Sequence, residues 1–232
     1  MPRYTTVLLD ADQTLFDFHA AEHLALCQVM KDFSLAATDE NIAFYKETNR
    51  GLWKLFDQGG ISQKDLGVER FSRLLKHAGA DPKKGPEMNL AYELALGQQG
   101  ILLPGALELC QRLHAHCALY ILTNGMTRSQ TGRLERSGLK PYIRKMYISQ
   151  ELSCQKPQKA FFDHVFADLG LQGDALKKTV MVGDSLRSDI QGGIHAGIDT
   201  IWYHPEGNES PFPLTPTFEA KCMDDILSVI LG

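Results

Sequence analysis

Nothing in the 232 residues forms an apolar run near the ~18 that a membrane-spanning helix needs. Positive charge is not in excess either. The net charge is −4 and the isoelectric point about 6.1, so no global field draws the chain to a nucleic acid polymer or an anionic membrane. Cysteine is sparse and odd in number: Cys27, Cys110, Cys117, Cys154 and Cys222 are scattered, which argues against a disulfide framework. No internal repeat and no low-complexity segment is visible. Met1 to Tyr4 lead straight into a short apolar run ending in acid, without the longer apolar region and small-residue cleavage site of a signal peptide. A cytoplasmic protein is the expectation. Cys110, His114, His116 and Cys117 lie close together but match no usual zinc spacing. Cys110 instead shares a helical register with Ala106, Leu109 and Leu113.

What is present is a large apolar fraction, 44%, with 22% charged residues, enough for a full core in one large or two small domains. Short apolar runs at Thr5–Leu9, Ala118–Leu122, Met146–Ile148, Val180–Val182 and Thr200–Tyr203 read as buried strands. Helical patterns separate the later ones. Phe162, Val165, Phe166 and Leu169 form one stripe, and 187–195 reads as a further helix, with Gly197 just past its end. Alternating strands and helices predict a parallel, doubly wound α/β sheet. The segment from His19 to Gln99 breaks the alternation. It has no convincing strand, but it has stripes at Leu26, Val29, Met30 and Phe33 and at Phe71, Leu74, Leu75 and Ala78, with Ser62 and Asp65 resembling a capping box. An all-helical insertion over 19–99 inside a core of 1–18 and 100–232 is the expected organisation. Four prolines between Pro205 and Pro216 predict a surface loop.

Ligands of open parallel sheets bind beyond the carboxyl ends of the strands. There the sequence reads Asp10-Ala11-Asp12-Gln13-Thr14, then Thr123-Asn124-Gly125, then Gly183-Asp184-Ser185 with Asp189, and Lys156-Pro157 comes between the last two. If the strands are neighbours, Asp10, Asp12, Asp184 and Asp189 converge, and their mutual repulsion calls for a cation. Hard oxygen ligands with little sulfur or imidazole point to Mg2+. Lys156, the Thr123 hydroxyl and the backbone amides near Asn124 and Gly125 can meet a phosphate. Each piece alone is ordinary: Asp-x-Asp is common at strand ends, Thr-Asn-Gly makes turns, and Gly-Asp-Ser often caps a helix. Their order, each behind an apolar run, is not ordinary.

These motifs resemble the four ordered motifs of the haloacid dehalogenase superfamily, and the helical insertion resembles its first cap class. The resemblance implies a Rossmann-like core with a mobile cap closing over the site. It implies that Asp10 is the nucleophile that forms an aspartyl-phosphate and that Asp12 is the general acid and then base. Thr123 and Lys156 would hold the phosphate, with Lys156 also restraining Asp10. Asp10, the Asp12 backbone carbonyl and Asp184 would bind magnesium, with Asp189 in support. Dehalogenases of the superfamily lack a carboxylate at the position of Asp12, so its presence favours phosphatase chemistry. Gln13 stands where many relatives carry glycine or glutamate, and it is expected to matter little.

A narrower resemblance, to pyrimidine 5′-nucleotidases, rests on Asp10 to Phe16, Asn49 to Leu55 with Trp53, Arg70-Phe71, Leu122 to Gly125 and Arg133 to Leu139. It implies a small phosphate ester, a nucleoside monophosphate, as substrate, with Trp53 and Arg70 among the residues that contact it. Trp53 also suits the apolar core of the cap, beside Leu52 and Phe56. A sugar-phosphate or acylneuraminate-phosphate phosphatase is the alternative enzyme. A non-catalytic phospho-aspartyl binding module is the alternative outside enzymes, and it would leave the helical insertion without purpose.

Overall fold

The computed structural model describes residues 2–207 and 213–232, so the middle of the proline-rich loop expected from Pro205 to Pro216 lies outside the described residues. The chain divides into two compact units, Ala20–Gln99 and Met1–His19 with Gly100–Gly232.

The larger unit is built on six strands: β1 (Thr6–Leu9), β2 (Ala118–Thr123), β3 (Ile143–Ile148), β4 (Thr179–Gly183), β5 (Asp199–Tyr203) and β6 (Phe218–Ala220). They lie in the order β3-β2-β1-β4-β5-β6 and every pairing is parallel. Central β1 is flanked by β2 and β4, with Leu9 beside Ile121 and Val182. A parallel sheet is covered on both faces, which is why these strands read as unbroken apolar runs. One face of the sheet carries Val7, Leu9, Leu119, Ile121, Val180, Val182 and Ile201. It packs with the apolar stripes of two of the helices defined below, including Cys110 in the register expected for it. The other face carries Leu8, Tyr120, Leu122 and Met181 against Phe161, Phe162, Val165 and Phe166.

Two strand readings needed extension. β3 begins three residues before its apolar run, since Arg144 and Lys145 are exposed on this edge strand and hide the pattern. β6 is a three-residue edge strand whose Glu219 faces solvent, and it gives no periodic signal.

The inserted unit is built from α1 (Phe18–Asp32), whose first two residues belong to the larger unit, with α2 (Asp39–Asp57), α3 (Gln63–His77) and α4 (Gly85–Gly97). Two starts are fixed by side chains: Thr38 Oγ1 accepts from the Asn41 amide, and Ser62 Oγ accepts from the Asp65 amide. The core of this unit includes Leu26, Val29 and Met30 from α1 and Phe71, Leu74 and Leu75 from α3. Tyr45, Phe71 and Tyr92 form an aromatic cluster with ring centroids 5.1 to 5.9 Å apart.

The remaining helices belong to the larger unit. They are α5 (Ala106–His114), α6 (Thr127–Arg136), α7 (Ser149–Leu152), α8 (Lys159–Leu169), α9 (Asp174–Lys177), α10 (Gln191–Ala196) and α11 (Met223–Leu231). Of these, α5 and α11 cover the first face of the sheet and α8 the second. The helix read over 187–195 is two pieces, a π-helical turn at Leu186–Ile190 followed by α10, which ends on left-handed Gly197. Among the described residues no helix is long and apolar enough to cross a membrane.

Candidate active site

The carboxyl ends of β1, β2 and β4 are adjacent, so the chain segments leaving them meet. The ladder runs on one residue past β1, where the Asp10 amide donates to the Val182 carbonyl at 2.8 Å. Asp10, Asp184 and Asp189 each bring a carboxylate oxygen within 4.8 Å of the others. Among the described residues the cluster comprises Asp10, Asp184 and Asp189, and the Asp12 carboxylate is not part of it.

Lys156 reaches into the cluster from the segment before α8. Its side chain is 1% exposed, and Nζ donates to Asp10 Oδ1 at 2.6 Å, to Asp189 Oδ1 at 2.7 Å and to the Leu122 carbonyl at 2.6 Å. All three ammonium protons are thereby used. Asn124 clamps the main chain of the same residue: its amide nitrogen donates to the Lys156 carbonyl at 2.9 Å, and its Oδ1 accepts from the Lys156 amide at 3.0 Å. The expected contribution of Asn124 to phosphate binding is thus joined by one the sequence did not disclose, which is to hold the lysine in place. Thr123 is buried, and its Oγ1 accepts from the Gly125 amide at 3.0 Å.

Asp184 and Asp189 are set by the loop after β4. Thr14 Oγ1 accepts from the Asp184 amide at 3.1 Å, and the Trp202 indole donates to the Asp184 carbonyl at 2.9 Å. The other Asp189 oxygen accepts from the Ser185 amide at 3.1 Å. Gly183 has to be glycine, because a Cβ there would sit 2.2 Å from Asp189 Oδ2.

Burial raises the Asp10 carboxyl from its ordinary 3.8 to about 7 against the opposing pull of Lys156, with Asp189 and Asp12 adding repulsion. Asp184 rises well above the carboxylate range, again chiefly through burial and then through Asp10 and Asp189. Burial works against the Lys156 ammonium, but Asp10 and Asp189 outweigh it and keep the group charged. With all three carboxyl groups ionised, the single ammonium leaves two negative charges uncompensated, which is the charge of a divalent cation. The donor set is all oxygen, and the fit to a hard divalent ion is therefore good in number, charge and chemistry.

Two neighbours of Asp12 are absent from the expected set. Gln130 Nε2 donates to Asp12 Oδ2 at 2.7 Å, and Arg133 Nη1 pairs with Asp12 Oδ1. Both come from α6, one turn apart. Their i, i+3 spacing was the available signal, but no local pattern tells which carboxylate such a pair will meet. Gln13 is also more than a spacer. It adopts φ 60°, and its Oε1 accepts from the Phe18 amide at 2.8 Å, so its side chain secures the start of α1.

The two residues of the insertion named as substrate contacts fare differently. Trp53 is half-buried on α2, edge-on to Phe56. Arg70 is 3% exposed inside the helical unit. Its Nη1 donates to Asn49 Oδ1 at 3.3 Å, and its Nε and Nη2 donate to Asn89 Oδ1 at 3.3 and 2.8 Å. Asn49 passes on to Glu22 and Asn89 to Glu93, so Arg70 is the centre of a buried polar network between four helices. The expected substrate contact of Arg70 is thus joined by this buried bonding role between helices.

Comparison with known proteins follows the same lines. The profile of haloacid dehalogenase-like hydrolases matches residues 4–197. The chain is 41% identical to the pyrimidine 5′-nucleotidase PynA of Streptococcus pneumoniae, over 98% of this chain and 95% of that protein. It is 31% identical to the pyrimidine 5′-nucleotidase YjjG of Escherichia coli, over 97% and 96%. A crystal structure of Bacillus subtilis YfnB, described as bound to magnesium, matches with a TM-score of 0.90 at 35% identity, covering 98% of both chains.

Proposed function

The chain belongs to the haloacid dehalogenase-like hydrolase family, and from that premise we propose that it is a Mg2+-dependent phosphomonoester hydrolase acting on pyrimidine nucleoside 5′-monophosphates. The observation that carries this reading is the arrangement around Asp10: a buried carboxylate bonded to Lys156, beside Asp184 and Asp189, with a second acid two residues along the chain. The relatives at 41% and 31% identity, both named as pyrimidine 5′-nucleotidases, support the substrate class.

The residues divide the reaction as follows. The Asp10 carboxylate attacks phosphorus, and the bond from phosphorus to the ester oxygen breaks. Asp12 gives its proton to that oxygen, which leaves as the nucleoside 5′-hydroxyl. Water then attacks the aspartyl-phosphate, Asp12 takes up a water proton, and inorganic phosphate departs with Asp10 restored. Splitting one displacement into two lowers each barrier. Lys156 keeps Asp10 oriented and joins the Thr123 hydroxyl in holding phosphate oxygens. Asp10, Asp184 and the Asp12 carbonyl, with Asp189 in support, would hold a magnesium ion, which would supply charge neutralisation for phosphoryl transfer.

The core residues engage only phosphate and cation, so choice among esters falls to the helical insertion. Trp53, aromatic and half-buried, is the candidate base-stacking residue. A panel of phosphate esters assayed with Mg2+ and again after chelation tests the reading. Pyrimidine nucleotides, deoxy forms included, should have the highest kcat/KM, ahead of purine nucleotides and sugar phosphates, and modified bases should be accepted. A sugar phosphate as best substrate would overturn the nucleotidase assignment. Full turnover after exhaustive chelation would overturn the metal.

A further inference from the structure

We propose that Arg133 and Gln130 are positioning residues for the general acid, fixing the direction in which the Asp12 carboxylate faces. The proposal deepens the hydrolase reading above and rests on it.

Asp12 is anchored at both oxygens, Oδ2 by Gln130 Nε2 and Oδ1 by Arg133 Nη1. Its side chain nevertheless remains 30% exposed while Arg133 is wholly buried. The carboxylate is thus tied from beneath and open above. Each oxygen keeps a further lone-pair direction, so anchoring leaves it able to exchange a proton with a leaving group.

The mounting of Arg133 is specific. Its guanidinium carbon lies 4.5 Å from the Phe16 ring centre and 5.9 Å from that of Phe18. The Phe16 amide donates to the Ala11 carbonyl at 2.9 Å. The guanidinium therefore rests on the same loop that carries Asp12. Gln130 fills the space beside Gly125, where a Cβ would lie 2.2 Å from its Nε2, so glycine at 125 makes room for this anchor.

Stability alone is a poor account of the arrangement. Arg133 Nε and Nη2 and Gln130 Oε1 are buried without hydrogen-bond partners. A buried cation with so few polar contacts is costly, and apolar side chains of similar volume in such places are often neutral or stabilising. The return is geometric. Proton transfer requires the donor within hydrogen-bond reach of the leaving oxygen, and small misplacements are expensive in rate.

The test exploits the leaving group, since a good one needs no acid. In the purified full-length chain with saturating Mg2+, Arg133→Met should lower kcat/KM for a pyrimidine nucleoside 5′-monophosphate by ~10²-fold or more, within the usual worth of acid catalysis. For 4-nitrophenyl phosphate the loss should stay below ~10-fold, because its leaving group departs unprotonated. Because kcat/KM reports only steps through formation of the aspartyl-phosphate, the later base role of Asp12 does not enter. Arg133→Lys should recover part of the nucleotide activity. Gln130→Met, which removes no charge, should show the same split at smaller size and decides the matter if Arg133→Met does not fold. Equal losses on both esters, or no loss on either, overturn the proposal while wild-type turnover leaves the hydrolase reading intact. A wild-type chain inactive on both esters overturns that reading and this one together.

Discussion

Lys156 Nζ lies 2.6 Å from Asp10 Oδ1 although 146 residues separate the two. The contact ties the first strand to the segment before α8, and the same ammonium bonds Asp189. One buried cation thus organises Asp10 and a second member of the acidic cluster. Its own backbone is held by Asn124, so three sheet-end segments fix a single charge.

Replacing the nucleophile should separate fold from turnover. Asn can still accept from Lys156 through its carbonyl oxygen, so Asp10→Asn should remain folded by circular dichroism. It cannot attack phosphorus, and kcat should fall by at least ~10³-fold, as for loss of other covalent nucleophiles. Retention of more than a few per cent of activity by a folded variant would rule out Asp10 in that role.

The raised carboxylates set a pH dependence. Asp10 goes from 3.8 to about 7 on folding, and Asp184 rises with it, so the metal-free folded chain binds protons more tightly than the unfolded chain. The stability from this source is complete below the unfolded value of 3.8 and is lost as pH rises through about 7. Metal-free protein should therefore melt lower at pH 8 than at pH 5.5. Saturating Mg2+ should lift Tm most at pH 8, where no proton competes, and Asp10→Asn should flatten the metal-free profile. Calorimetry with and without chelator checks this, and a profile indifferent to magnesium would contradict it.

Trp202 tests the proposed metal site from outside the cluster. Its indole donates to the Asp184 carbonyl, and its ring stacks on His204 with centroids 3.8 Å apart. Trp202→Phe keeps the stack and deletes the donor. Mg2+ activation should weaken by ~10-fold, the lower end of outer-shell effects. Titrating activity against Mg2+ measures it, and an unchanged activation constant would show the bond to be idle.

Trp53→Ala addresses substrate choice. If the indole stacks on the base, KM for pyrimidine nucleotides should rise by the equivalent of ~1–3 kcal/mol. Hydrolysis of 4-nitrophenyl phosphate should change much less. Parallel losses on both substrates would instead assign Trp53 to the packing around Phe56.

The strand ends were legible because a parallel sheet turns each interior strand into an apolar run, and each run points at the residue after it. The positions of Asp10, Thr123 and Asp184 at adjacent strand ends could be read that way. Lys156 and Asp189 follow no strand, and they entered through order and resemblance. The anchors of Asp12 were not legible, since the pairings with Gln130 and Arg133 span 118 and 121 residues and exist only once α6 is packed. Arg70 entered through resemblance alone, and its bonds to Asn49 and Asn89 exist only once the helices of the insertion are packed. Edge strands β3 and β6 were truncated or missed where charge on an exposed face interrupts the apolar pattern.

The chain leaves the sheet unit and returns to it along one seam. Phe16 bridges Leu102 in antiparallel fashion, and the Asp17 amide donates to the Ile101 carbonyl at 3.1 Å. To the sheet, everything between these residues is a loop whose ends are already tied. On the proposed reading, such a seam separates inheritance of chemistry from inheritance of selectivity. Loop-closure entropy grows only slowly with length. Insertions of other sizes could therefore be grafted between Asp17 and Ile101 while Asp10, Lys156 and Asp184 stay where they are. A laboratory exchange of this segment between relatives should transplant preference for the leaving group and leave the phosphoryl chemistry behind.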